Sequence, residues 1–260
     1  MFFSIIINTH NQNKSINRCV ESCLDQNFAK EFEIILIDTS DNKIDYELKN
    51  IDKIKYFHYK SFSKFPVIDQ LYKIYEGYKK AKGKWFCLLD GDDFFKRDKL
   101  NHLYQKYNLK NKILVQDRCS YFSEIDNSEK LYSQKNYKNF YFYKKFINFW
   151  PEIYGTSCLS GDMEILKFFF NDLNINKWTS IAIDAQLSLY ALNKNILTNE
   201  NEILTLKSIN ENNLDNKFSK NNKLYWDRRM QQILFWENLT KKKINNFDKV
   251  LTKIFMYLNG

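Results

Sequence analysis

Three carboxylates crowd into four residues at Asp90-Gly91-Asp92-Asp93. So close together, they repel one another unless a cation or a paired base shares the site. Carboxylate oxygens are hard donors, suited to Mg²⁺ or Mn²⁺ ions that keep part of their water shell and also bind phosphate oxygens. Gly91 lets the backbone turn so that Asp90 and Asp92 face one ligand. An acidic turn also has an ordinary use, with Asp92 or Asp93 as the N-cap of a following helix. The setting favours chemistry. Trp85-Phe86-Cys87-Leu88-Leu89 reads as a buried strand, and a D-x-D that directly follows one is a stronger pattern than the bare triplet.

Other chemistries have less support. His10, His58 and His102 are far apart and lack zinc spacing. The chain has no G-x-S-x-G elbow, Walker loop or G-x-G-x-x-G, so serine-hydrolase, P-loop and dinucleotide readings lose their usual basis. A nucleotidyltransferase would add a Gly-rich phosphate loop near the first strand, but Asn8 to Lys14 contains no glycine. Cys19, Cys23, Cys87, Cys119 and Cys158 form no C-x-x-C pair and read as reduced, buried thiols of a cytoplasmic protein. The formal charge of +9 suggests an acidic partner: a nucleotide, a nucleic acid or an anionic membrane surface.

The elements that must position these residues can be read from periodicity. The 260 residues, with only 6 Gly and 2 Pro, fit one α/β domain with an appendage. Phe2 to Ile7 is a short apolar run, as in a strand buried on both faces. Ile16, Cys19, Val20, Cys23 and Leu24 then form one helix face, with Asn13 as its N-cap. Ile34 to Ile37 repeats the strand pattern and ends at Asp38-Thr39-Ser40-Asp41; a weaker strand spans 54–59. Pro66 opens a helix with the stripe Val67, Leu71, Ile74, Tyr75 and Tyr78, and Gly83 stops it before the strand at 85–89. Such alternation predicts a mainly parallel sheet covered by helices, with its ligand crevice at the carboxyl ends of the strands. Asn8-Thr9-His10-Asn11, the turn after Asp38 and the acidic turn all fall at such ends.

The second half is less regular. Short strands are expected at 113–115 and 154–159 and a helix over 180–192. Phe247, Val250, Leu251, Ile254, Phe255 and Leu258 mark an amphipathic C-terminal helix. This helix and segment 138–150 mix aromatics with Lys, as interfacial helices do. A core or oligomer contact is the commoner use of so regular a stripe. The N-terminus lacks a signal-peptide pattern, and no stretch nears the ~20 apolar residues of a spanning helix. A soluble or peripheral protein is expected.

Three segments together resemble family 2 glycosyltransferases of the GT-A fold. Ile5-Ile6-Ile7-Asn8-Thr9-His10-Asn11 stands where that family has a strand ending in a P-T-Y-N-like turn. Glu33-Ile34-Ile35-Leu36-Ile37-Asp38-Thr39-Ser40-Asp41 is similar to its E-I-I-V-V-D-D-G-S strand. Ala81-Lys82-Gly83-Lys84, with the strand and acidic turn that follow, is similar to its A-x-G-x-strand-D-x-D-D segment. Asn8 replaces the usual Pro, His10 the usual aromatic, and Thr39 the second Asp of the second motif.

The resemblance implies an α/β GT-A (Rossmann-like) domain over residues 1–210, with a nucleotide-sugar half (1–110) and an acceptor half (111–210). Residues 211–260 would form a C-terminal helical extension. Thr9 and Asn11 would line the nucleotide pocket, and Asp38 would bond the base. Asp90 would reach the ribose or the metal's waters, and Asp92 would ligate Mn²⁺ or Mg²⁺ at the diphosphate. The family places its catalytic base in an E-D pair opening a later helix. Asp184 is the best match, with Ile183 where the Glu would be and Asp162 in reserve. Thr156 to Gly161 would floor the acceptor site; Lys64 reads as a solvated surface lysine.

The implied activity is metal-dependent, inverting transfer of a sugar from a nucleotide diphosphate-sugar to a glycan or lipid-linked hydroxyl, in bacterial surface-glycan synthesis. The setting would be the cytoplasm, with peripheral contact at the inner face of the membrane, and homo-oligomerisation through the C-terminal helix is a further expectation. Nucleic acid is not expected as a partner. A non-catalytic basic protein that binds nucleic acid or anionic membrane would explain the charge, but not three polar strand ends converging on one crevice.

Overall fold

The computed structural model describes residues 1–44, 53–123, 128–130, 153–209 and 222–258. Its frame is set by apolar runs with no polar side to offer water. The strands β1 (Phe3–Thr9), β2 (Phe32–Asp38) and β4 (Trp85–Asp90) are buried along almost their whole length. With β3 (Ile54–His58) they make a parallel sheet in the order β3-β2-β1-β4. The helices α1 (Ile16–Leu24) and α2 (Pro66–Lys80) supply the crossovers, because parallel neighbours cannot be joined by a hairpin. Ile5 and Ile7 face the α1 side with Cys19, Val20 and Cys23, while Ile6 faces the other side with Leu71 and Ile74.

Register decides what this sheet can do. Thr9 lies opposite Asp38, and Asn8 opposite Asp90. The carboxyl ends of β1, β2 and β4 are therefore level, as the sequence led us to expect, and three polar turns share one rim.

Beyond β4 the sheet becomes mixed. β8 (Leu159–Asp162) runs antiparallel to β4 and to β6 (Leu114–Ser123), and β9 (Leu197–Ile209) runs parallel to β6. β5 (Phe94–Phe95) caps the far edge of β9, and β7 (Ser128–Lys130) pairs with β6. The β6–β9 ladder is irregular: β9 advances from Asn199 to Thr205 while β6 advances only from Gln116 to Cys119.

Several local expectations are corrected. The strand expected over 154–159 is a 3-10 turn at Thr156–Cys158 that leads into β8. Ser15, not Asn13, precedes α1. The helix expected from Ser180 is α5 (Ile183–Asn193). Asp93 does not cap α3 (Lys99–Tyr107), which starts after Asp98; its carboxylate is committed elsewhere. Segment 138–150 and the boundary at 210/211 lie outside the described residues. All five cysteines are buried and free.

One buried carboxylate ties β9 to α3. Glu200 accepts from Lys106 Nζ at 2.8 Å and from Tyr107 OH at 2.8 Å, with His102 Nε2 at 3.0 Å. Burial pushes its carboxyl up, but Lys106, His102 and Tyr107 outweigh this and bring it down to about 2. A depressed carboxyl stabilises the folded state fully above its ordinary value of 4.5. That contribution is lost as pH falls through about 2. Glu200→Gln should lower stability at pH 7 by roughly 2 kcal/mol. The difference from wild type should shrink on acidification, as read by urea unfolding at pH 7 and pH 3.

The helix α4 (Met163–Asp172) covers the α2 side of the sheet through Ile165, Leu166 and Phe169. The helix α6 (Lys223–Thr240) sets Phe235 edge-on to Trp178 at 5.3 Å, in a small core with Ile181, Ala185 and Leu189. The helix α7 (Phe247–Leu258) packs on α6 in an unusual sense. Its polar side is buried: Asp248 bonds Arg229 at 2.6 Å, Lys249 pairs with Glu237 at 2.6 Å, and Thr252 is fully covered. Phe255 stacks on Trp226 at 4.5 Å. Leu251 is half-buried, and the other stripe residues face outward, with Phe247 57%, Val250 52%, Ile254 47% and Leu258 67% exposed. The expected core contact is made only in part: of the stripe, Phe255 and Leu251 contribute, and the ion pairs of Asp248 and Lys249 hold the rest of the helix on α6. Among the described residues, no helix is long and apolar enough to cross a membrane.

Candidate active site

The acidic turn is held from four directions. Asn8 donates to Leu89 O at 3.2 Å and to Asp90 Oδ1 at 2.8 Å. Gln70 of α2 donates to the same Oδ1 at 2.8 Å. The Asp90 amide donates to Ser157 Oγ at 3.0 Å, and the Ser157 hydroxyl donates to Asp93 Oδ2 at 2.6 Å. From β9, the Ser208 amide donates to Asp93 Oδ1 at 3.0 Å and its hydroxyl to Asp92 O. Arg18 of α1 donates to Ser208 Oγ at 2.7 Å, its guanidinium 4.6 Å and 4.8 Å from the ring centres of Phe94 and Phe122. Gly91 has no room for a side chain: a Cβ there would stand 2.5 Å from Gln12 Oε1 and 2.6 Å from Thr9 Oγ1.

This packing divides the three carboxylates. Asp93 is buried and spent on Ser157 and Ser208, whereas Asp90 and Asp92 remain partly exposed at the rim. Burial pushes the Asp93 carboxyl well up, and Asp92 adds to this. Burial also pushes Asp90 up, against Asn8, Lys207 and Gln70.

The charge is balanced by a lysine. Burial alone would lower the Lys207 ammonium, yet the carboxylates Asp93, Asp184 and Asp90 together hold it above its ordinary value. Asp184, in the first turn of α5, adds to the negative field that raises Lys207. Gly155 lies over that cation: its φ is +120°, and a Cβ there would stand 2.7 Å from Lys207 Nζ. Replacing Lys207 by Met would leave the carboxylates around it without their cation. We expect a loss of roughly 2 kcal/mol, discounted for the partial exposure of Lys207, in denaturant unfolding without divalent ions. Unchanged stability would mean that this ammonium does not hold the carboxylates in place. Beneath it, Lys99 and Asp117 form a fully buried pair at 2.8 Å, and Lys99 also donates to Ser157 O at 2.9 Å.

The opposite side of the rim is equally ordered. Asp38 is fully buried and accepts from the Ser40 amide at 2.8 Å, the Ser40 hydroxyl at 2.5 Å and Tyr56 OH at 2.7 Å. In this arrangement it shapes the 38–41 turn. Asn11, in the left-handed region at φ 54°, clasps that turn through its amide to Ser40 Oγ at 2.7 Å and its side chain to Asp41 Oδ2 at 2.9 Å. Thr9 is buried with its hydroxyl on Gln12. Lys73 reaches Thr9 O at 3.2 Å and pairs with Asp69 at 3.0 Å.

A model of glycosyl transferase family 2 matches residues 4–170 of the chain. The chain belongs to glycosyl transferase family 2. A dolichyl N-acetyl-alpha-D-glucosaminyl phosphate 3-beta-D-2,3-diacetamido-2,3-dideoxy-beta-D-glucuronosyltransferase of Methanococcus voltae is 30% identical over 109 residues, 41% of this chain and 34% of that protein. The matched stretch is thus about a third of the relative's length. Solved structures of TarS from S. aureus share the fold. Residues 1–349 of TarS in complex with UDP superpose at a TM-score of 0.60 and 15% identity, covering 98% of this chain and 70% of that 1–349 fragment. The complex with UDP-GlcNAc gives 0.61 at 14% identity over 98% and 70%.

In this family 2 chain, Thr9, Asn11, Asp38, Asp90 and Asp92 gather on one rim, while Asp184 stands in the first turn of α5. Asp162 does not. It lies opposite Trp85, at the start of β4, where it caps α4 by accepting from Glu164 N. That is five strand residues, roughly 16 Å, from Asp90, so it is removed as the reserve base. Lys64 is exposed, 5.4 Å from the Phe65 ring centre. Ser157, in the segment expected to floor the acceptor site, instead braces the acidic turn from below. Lys207, Gln70 and Lys73 were missed from sequence. Lys207 carries no signal beyond one cation in an apolar strand, Leu204-Thr205-Leu206-Lys207.

Proposed function

We propose that this chain transfers a sugar from a nucleotide diphosphate-sugar to a hydroxyl of a glycan or lipid-linked acceptor, with inversion, in surface-glycan synthesis at or near the cytoplasmic face of a membrane. The observation that carries the reading is the level rim: Asp90 and Asp92 are partly exposed beside the turns that follow β1 and β2. Residues 1–110 form the donor half, 111–210 the acceptor half and 211–260 an extension. The UDP and UDP-GlcNAc complexes of TarS make uridine nucleotides the first donors to try.

The donor set suits a divalent ion completed by substrate. Among the described residues, no three His, Cys, Asp or Glu side chains are gathered as a cage. Mg²⁺ commonly takes one or two carboxylates plus phosphate oxygens and water, and Asp90 and Asp92 offer two. When bound, Mg²⁺ or Mn²⁺ would act as a Lewis acid that neutralises charge growing on the diphosphate. Asp92 would hold it, and Asp90, fixed by Asn8 and Gln70, would face the ribose or the ion's waters. Asp184 would take the acceptor O–H proton as that oxygen bonds the anomeric carbon. The carbon–oxygen bond to the diphosphate breaks on the opposite face, and the nucleoside diphosphate leaves.

The test is a calorimetric binding screen of UDP-, GDP-, dTDP- and CMP-sugars with and without Mn²⁺. One diphosphate-sugar should bind at least tenfold more tightly with the ion. Binding of none would sink the reading.

A further inference from the structure

We propose that α7 is an interfacial helix that seats the enzyme on an anionic membrane, through an apolar stripe turned to solvent and a lysine-rich rim. An amphipathic helix in a folded chain ordinarily buries its apolar stripe and exposes its charges. Here the sense is reversed. Asp248, Lys249 and Thr252 lie against α6, held by Arg229 and Glu237, while Phe247, Val250, Ile254 and Leu258 point away. Tyr257, 87% exposed, flanks the stripe and has the amphipathic ring favoured at a membrane–water boundary.

Charge selects the occupant. Residues 222–258 hold eight Lys or Arg and three Asp or Glu, so this stretch supplies +5 of the chain's +9. Lys241, Lys242 and Lys243 are exposed immediately before α7, and Lys253 is exposed on it. Asp248 and Glu237, two of the three acids, are already paired inward. A second copy of the same face would bring lysine against lysine. An anionic bilayer takes the apolar stripe into its headgroup boundary and the lysines at its charged surface, the two contributions that hold an interfacial helix.

The site's chemistry does not depend on this placement. Soluble donor binding and membrane binding can therefore fail separately.

The test is co-sedimentation of the full chain with vesicles of pure phosphatidylcholine, or of phosphatidylcholine with 30% phosphatidylglycerol. The chain should bind the anionic vesicles and not the neutral ones, and less well at high salt. A combined Lys241→Ala, Lys242→Ala and Lys243→Ala variant should lose on the order of 10²-fold in vesicle affinity. Ile254→Asp, whose side chain is already exposed and so leaves the fold intact by circular dichroism, should lose at least tenfold. No binding to anionic vesicles, or binding indifferent to Ile254→Asp, overturns the proposal. So does a dimer in sedimentation that Ile254→Asp dissociates, since a second copy would then cover the stripe.

Discussion

Asp92→Asn should lower kcat/KM by on the order of 10³-fold, with little change in thermal stability. An anion that grows on the diphosphate during bond breaking needs a fixed positive charge, and losing one such contact costs about 10²–10³-fold in well-studied cases. Asn keeps the shape of Asp but brings no charge to a hard cation. The apparent Mn²⁺ requirement should rise in the same variant, as read by titrating the metal at fixed donor. Asp93→Asn is the informative contrast. Asp93 is buried against Ser157 and Ser208, so its loss should appear mainly in unfolding. If Asp92→Asn turns over within tenfold of wild type, the rim is not where the leaving group is stabilised.

Asp184→Asn should lower kcat by about 10²–10⁴-fold, the range for loss of a positioned general base. The substitution is isosteric and keeps a helix-start polar group, but its amide cannot accept the acceptor's proton. The KM for donor should stay near wild type, because the proposed role of Asp184 is toward the acceptor hydroxyl. Asp162→Asn, at the far end of β4, should leave kcat within about twofold and stability nearly unchanged, because Asn caps a helix about as well as Asp. Equal losses in the two variants would remove Asp184 from the reaction.

The first half of the chain was legible in the sequence because its signals are local. Runs such as Ile5-Ile6-Ile7 and Cys87-Leu88-Leu89 name buried strands without help, and level strand ends follow from parallel pairing alone. Asp184 was reachable only through resemblance, since its neighbours Ile183 and Ala185 say helix and nothing more. Lys207, Ser208 and Ser157 were invisible for a different reason. Each acts across pairings between residues far apart in sequence, Ser208 on Asp93 and Ser157 on both Asp90 and Asp93. The α7 stripe was plain as a periodicity, but a stripe does not say which side of a helix its neighbour covers. That was settled by Arg229 and Glu237, whose pairing to Asp248 and Lys249 no hydrophobic pattern encodes.

The uneven β6–β9 ladder sets the phase of the site. Between Gln116 and Cys119, β9 carries three more residues than β6, and three is odd. Side chains alternate along a strand, so an odd excess exchanges the faces of everything downstream. Without it, Lys207 and Ser208 would trade places. The cation would leave Asp90 and Asp184, and the clasp on Asp93 would open in the same step. Removing one residue from 200–204 is therefore a change of parity, and silences the site more surely than many substitutions within it; removing two preserves parity and spares more of it.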